Sequence, residues 1–182
     1  MIVVLGIPGA GKSTVLREIK KELPDWKMMN YGDVMLELAL AKKLVSNRDE
    51  IRKLPTRAQK ELQREAARKI SAEKGKVILD THCSIATPRG HLPGLPFDIL
   101  KELNVDSFVL ITAPSQEILR RRHEDSTRAR DIQPLEALEE VQLINKALLA
   151  AYAAFTGAPA IIIQNADGKL DDAVEKLKSV LR

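Results

Sequence analysis

A chain of 182 residues, 45% hydrophobic and 30% charged, is long enough to bury one layered core and too apolar to remain disordered. Its 29 Lys and Arg against 25 Asp and Glu give a net charge of +4, which suits an anionic ligand; aromatics at 3% and the lack of long like-charge runs disfavour a nucleic-acid partner. No apolar stretch approaches a membrane span, and Cys83, the lone cysteine, excludes an internal disulfide, so a cytoplasmic protein is expected.

The first predicted strand is Ile2 to Leu5. It lacks the basic flank of a signal peptide and runs at once into Gly6-Ile7-Pro8-Gly9-Ala10-Gly11-Lys12-Ser13. Two glycines with four residues between them, followed by Lys and Ser, are the signature of a P-loop. The glycines let backbone N–H groups curl around phosphate oxygens, Lys12 reaches the terminal phosphates, and Ser13 ligates Mg²⁺. A helix starting at Thr14 aims its positive end at the same anion. Gly6 through Thr14 therefore form the expected ATP cradle.

Lys27 to Asn30 reads as a weaker strand. Two helical segments follow, about Asp33 to Leu44 and Asp49 to Glu73. In the second, Ile51, Leu54, Ala58, Leu62, Ala66 and Ile70 recur at helical spacing, and Pro55 predicts a break. The pair is too long for a simple crossover and predicts a small projecting lobe. Asp33, after Gly32, suits either a helix N-cap or a place near the metal. Val77 to Leu79 forms the next strand. Asp80 at its end stands where a P-loop protein commonly holds Mg²⁺, directly or through water; capping the following turn is the alternative.

Thr87 to Pro96 carries three prolines and two glycines, which predicts a shaped loop without regular structure. Phe108 to Thr112 is a strand. Beyond it Arg120, Arg121, Arg122, Arg128 and Arg130 crowd within eleven residues. Phosphoryl transfer needs charge neutralisation more than covalent chemistry, and guanidinium groups on a short loop suit a closing lid. Helical spacing points Arg120, Arg121 and Arg122 in different directions, so Arg122, Arg128 and Arg130, at or beyond the helix end, are the candidates. A long Ala- and Leu-rich helix ends at Gly157 and Pro159, Ala160 to Ile163 is the last strand, and Leu170, Val174, Leu177 and Leu181 mark a closing amphipathic helix. Gln164-Asn165 offers a place for a purine ring or a simple turn. Strands apolar on both faces and separated by helices imply an α/β protein with a five-stranded parallel sheet, helices on both faces, and the P-loop NTPase fold.

Asn30-Tyr-Gly-Asp33, Arg48-Asp-Glu-Ile-Arg52-Lys-Leu54, Asp80-Thr-His82, Thr87-Pro-Arg89-Gly-His-Leu-Pro-Gly-Leu-Pro96 and Arg128-Ala-Arg130-Asp131 resemble the archaeal type of adenylate kinase, a nucleoside monophosphate kinase, along the whole chain. The resemblance implies one kinase domain over 1–182, with a monophosphate-binding lobe at about 31–73 and a short lid at about 120–133. It implies ATP and AMP interconverting with two ADP, Mg²⁺ as cofactor, and a homo-oligomer, expected to be a trimer. Lys12, Arg122, Arg128 and Arg130 would carry catalysis. Arg48 and Arg52 would face AMP, with Asp33, Asp80, His82 and Arg89 as further candidates, and Ser13 and Asp80 would hold the metal.

Two departures stand out. Adenylate kinases commonly follow the strand-end Asp with Gly-Phe-Pro-Arg, whose Arg holds the monophosphate; here Asp80 precedes Thr81-His82-Cys83, which leaves Arg89, or another geometry of the proline-rich loop, for that task. Leu135 to Phe155, where another Arg is usual, offers only Lys146. The residues alone leave open a kinase for CMP or UMP, or a P-loop ATPase acting as an RNA or protein assembly factor.

Overall fold

In the computed structural model the described residues are 1–124 and 134–182, and the side chain of Arg52 is also outside them. Strand β1, Ile2–Gly6, is buried along its whole length. Its side chains alternate: Val3 and Leu5 join one apolar cluster, Ile2 and Val4 the other. This is the pattern of a central strand covered on both faces.

In chain order there follow α1 (Lys12–Glu22), β2 (Lys27–Asn30), α2 (Tyr31–Ala41), a 3₁₀ turn (Arg48–Lys53), α3 (Thr56–Ser71) and β3 (Val77–Asp80). The second half is β4 (Ser84–Thr87), β5 (Gly90–Pro93), α4 (Phe97–Leu100), β6 (Ser107–Thr112), α5 (Ser115–Glu124), α6 (Leu135–Thr156), β7 (Ala160–Gln164) and α7 (Leu170–Leu181). Five strands form one sheet in the order β2-β3-β1-β6-β7, with every neighbouring pair parallel. The chain leaves β1 toward β2 and β3 on one side and toward β6 and β7 on the other. The crevice of such a sheet opens at the carboxyl ends of the strands beside β1.

Helices α1 and α7 cover one face through Val15, Leu16, Ile19, Val174 and Leu177. The opposite face takes Val34 from α2, Ala66 and Ile70 from α3, and Leu149 and Tyr152 from α6. Residues 31–73 thus contribute to the main core, and they also keep an apolar centre of their own around Ala39, Val45 and Leu62. The break expected at Pro55 is present: Leu54 is extended, as a residue before proline prefers, and α3 begins directly after the ring.

The proline-rich stretch corrects an expectation. Instead of a loop without regular structure it holds the antiparallel hairpin β4–β5, with Thr87 opposite Gly90 and Ser84 opposite Pro93. Proline is compatible here because Pro88 sits in the turn and Pro93 ends its strand, so neither ring removes a central ladder donor. Thr87 supports the turn, its hydroxyl donating to the Gly90 carbonyl at 2.8 Å. Among the described residues no helix is long and apolar enough to cross a membrane.

Candidate active site

The loop from Gly6 to Ser13 joins β1 to α1 at the carboxyl edge of the sheet. Gly11 takes φ 80°, a left-handed conformation costly for other residues, and stands at the N-cap of α1. No side chain caps that terminus among the described residues, and its first turn carries no acid. The leading N–H groups of α1, which have no partner within the helix, are therefore left for an anion. The loop is braced from behind: Asn165, buried after β7, donates from Nδ2 to the Ala10 carbonyl at 3.1 Å, and a Cβ on Gly11 would overlap that amide.

Lys12 is largely buried and forms an ion pair with Oδ1 of Asp80. Burial lowers the Lys12 ammonium from 10.5 to about 8. The other Asp80 oxygen accepts a hydrogen bond from Asn30 Nδ2 at 3.0 Å. Parallel pairing explains that contact, since Asn30 and Asp80 are register partners at the ends of β2 and β3. Asn30 also caps α2, accepting from the Asp33 N–H at 3.1 Å. Asn30, and not Asp33, is thus the N-cap; the Asp33 carboxylate is exposed and pairs with Arg48 at 3.0 Å. Arg48 donates to Asn30 Oδ1 at 3.3 Å. One continuous set of contacts runs from Lys12 through Asp80 and Asn30 to Asp33 and Arg48.

Helix α5 closes the other side. Arg122, singled out from the sequence, donates from Nε to the Pro8 carbonyl at 2.9 Å. Arg121 is more deeply engaged: it donates to Asp167 Oδ1 at 3.0 and 2.5 Å, to the Asn165 carbonyl at 3.1 Å and to Glu117 at 3.2 Å. Arg120 also pairs with Asp167. The α5 arginines therefore fasten the helix to the phosphate loop and to the turn after β7. Arg128 and Arg130 lie outside the described residues, as does the remainder of the expected lid beyond Glu124.

Two candidates lie at the hairpin. His82 is exposed at the base of the hairpin, and Arg89 is exposed at its tip. Ser13 is exposed at the mouth of the loop. Sequence reasoning gave no role to Asp167, named Asn30 only within a motif, set Arg121 aside in favour of Arg122, and offered Asn165 as a purine site or a turn, not as a brace for the loop. Asn30 carried a signal, a polar amide ending a strand beside the strand of Asp80. So did Arg121, four residues after Glu117 on one helix face. Nothing local marked Asn165 as a brace for the phosphate loop, a contact that depends on β7 lying two strands from β1.

The donor set suits a hard cation shared with phosphates. Asp80 Oδ1 is buried and receives no hydrogen bond among the described residues, its contact with Lys12 being an ion pair without hydrogen-bond geometry. No three His, Cys, Asp or Glu side chains cluster as a metal cage among the described residues. Mg²⁺ characteristically takes one or two protein oxygens and completes its shell with phosphate and water.

The AAA domain family matches residues 5–139. The shikimate kinase of Bacteroides thetaiotaomicron superposes with a TM-score of 0.64 over 99% of this chain and 97% of its own, at 16% identity. The adenylate kinase of Methanothermobacter thermautotrophicus is 49% identical over 183 residues, covering 100% of this chain and 98% of its own. That of Methanopyrus kandleri is 49% identical over 186 residues, covering 100% and 97%. The shikimate kinase fixes the architecture alone, whereas identity near one half along the entire chain goes well beyond a shared fold, and the chain belongs to the adenylate kinase family.

Proposed function

We infer that this chain catalyses the reversible, Mg²⁺-dependent transfer of the terminal phosphoryl group of ATP to AMP, giving two ADP. The observation that carries this is the 49% identity to an adenylate kinase across the full chain. The roles of individual residues are our reading. The loop from Gly6 to Thr14 binds the ATP phosphates, with Lys12 neutralising charge on the β- and γ-groups. Ser13 and Asp80 hold Mg²⁺, Asp80 partly through water, and the ion supplies charge neutralisation and alignment of the phosphates. Arg122, Arg128 and Arg130 clamp the transferring group from α5 and the segment beyond it. Support comes from the contacts of Arg122 with Pro8 and of Lys12 with Asp80.

We assign the acceptor side to residues 31–73, with Arg48, Arg52 and Asp33 facing AMP beside Asp80. Arg89 and His82, both exposed, are further candidates on this side. Residues 120–133 act as the lid. A homo-oligomer, the trimer of the archaeal type, and a reducing cytoplasmic setting complete the reading; Cys83 is buried and its thiol is pushed up to about 12 by desolvation.

The test is an acceptor panel. With Mg²⁺–ATP the protein should form ADP only when AMP is added, and far more slowly with CMP or UMP. Lys12→Met should lose about a hundredfold or more of turnover while its circular dichroism is unchanged. ATP hydrolysis at full rate without any monophosphate would overturn the reading in favour of an ATPase.

A further inference from the structure

Asn30 is a junction of three parts of the molecule. It ends β2, faces Asp80 in the parallel register, and begins α2. The two ends of its amide do different work. Oδ1 accepts from the Asp33 N–H at 3.1 Å and from Arg48 at 3.3 Å, while Nδ2 donates to Asp80 Oδ2 at 3.0 Å. Arg48 lies across Gly32 to make these contacts, in space that any Cβ at Gly32 would occupy.

Capping α2 needs only the Oδ1 half, and Ser, Thr or Asp would serve equally well. Of these side chains only Asn accepts and donates through two separate atoms. The donor half engages Oδ2 of Asp80 and leaves Oδ1, buried and without a hydrogen bond among the described residues, directed at Lys12.

We propose that Asn30 is a positioning residue that fixes the plane of the Asp80 carboxylate, so that one oxygen stays turned to the phosphate loop, and ties that orientation to Arg48 on the acceptor side. A carboxylate without this donor is free to rotate about its Cβ–Cγ bond, so that neither the lysine nor the carboxylate is set for phosphate and metal. The link also gives the acceptor lobe a route to the donor site. A monophosphate that draws Arg48 away from Oδ1 changes the bonding of the amide that holds Asp80.

The proposal rests on assigning Asp80 to the Mg²⁺–ATP side, and the experiment separates the two. Asn30→Ser, Asn30→Asp, Asn30→Ala and Asp80→Ala are compared in kcat, KM for ATP and AMP, thermal midpoint, and the gain in ATP affinity that Mg²⁺ confers in calorimetric titration. Asn30→Ser still caps α2 but is too short to reach Asp80. It should keep the wild-type midpoint yet lose about tenfold in kcat, the usual cost of removing a partner that orients a metal-side ligand, and the Mg²⁺ gain should shrink by a similar factor. Asn30→Asp, which caps well but sets a like charge against Asp80, should lose at least as much. Asn30→Ala should show the same kinetic loss together with a lower midpoint. Wild-type kcat and Mg²⁺ gain in Asn30→Ser, or a kinetic loss that only accompanies a fall in midpoint, would overturn the role of Asn30. An Asp80→Ala variant with undiminished activity would overturn the assignment of Asp80, whereas an inactive Asp80→Ala beside a silent Asn30→Ser would overturn this proposal alone.

Discussion

Lys12 is placed where burial works against its own charge. With the ammonium lowered to about 8 in the free protein, ATP phosphates bound as proposed would stabilise the protonated form and raise it again. Binding ATP above pH 8 must then draw in a proton. We expect kcat/KM for ATP to fall as pH rises through about 8, approaching tenfold per unit, while kcat, which reports the bound complex, holds to higher pH. Calorimetry in buffers of different ionisation enthalpy should register the uptake. A kcat/KM profile flat well above pH 8 would show that Lys12 is charged throughout. The identity of Lys12 was readable from the P-loop spacing. Its depressed basicity was not, because that depends on how completely α1 and β3 enclose it. Arg121 makes the same point from the other direction: helical spacing led to Arg122 over Arg121, and only the tertiary structure brings Arg121 to the Asn165 carbonyl while Arg122 reaches the Pro8 carbonyl.

At the scale of elements, the β4–β5 hairpin is held to α6 by a small buried polar set. The Tyr152 hydroxyl donates to the Cys83 carbonyl at 2.8 Å and accepts from the Leu95 N–H at 3.2 Å. The Ser84 hydroxyl donates to Asn145 at 2.6 Å. Burial raises the Tyr152 phenol, which therefore keeps its proton throughout the working range. Tyr152→Phe leaves the buried Leu95 N–H without its partner, while the Cys83 carbonyl keeps the Gly94 N–H at 2.8 Å, and should cost about 1–3 kcal/mol in urea unfolding, with faster amide exchange in the hairpin than in β1. An unchanged unfolding midpoint would mean that water replaces the hydroxyl. The hairpin was hidden in the sequence because proline and glycine content, read locally, argues against a strand. Pairing across a tight turn tolerates both where the ladder does not need them. Helix ends were legible by contrast: Gly157, at φ 74°, stops α6 where its position after a long apolar run implies.

At the scale of the molecule, several large apolar side chains among the described residues face solvent. Leu143 and Phe155 on α6 are 68% and 63% exposed, Leu92 and Phe97 are exposed as well, and the Phe97 ring lies 5.1 Å from that of Phe155. Scattered exposed apolar residues are ordinary, yet large side chains of this kind suit an interface between copies. We therefore expect sedimentation at micromolar concentration to find a trimer, and Leu143→Glu with Phe155→Glu to shift it toward monomer without loss of helix content. A wild-type protein that sediments as a monomer would remove that expectation.

The sequence by itself determined the phosphate loop, the five strands, the break at Pro55 and the family, because each rests on local chemistry: glycine spacing, two-sided apolar runs, a proline ring, and motifs shared along the whole chain. Tertiary structure alone decided that Asn30 faces Asp80, that Asn165 braces the loop, and that Arg89 is held at a hairpin tip, exposed and apart from these contacts. The first two follow from strand order and register, which bring together residues fifty or more positions apart. No local pattern encodes such a meeting, since the energy that fixes it is the burial of both sheet faces at once.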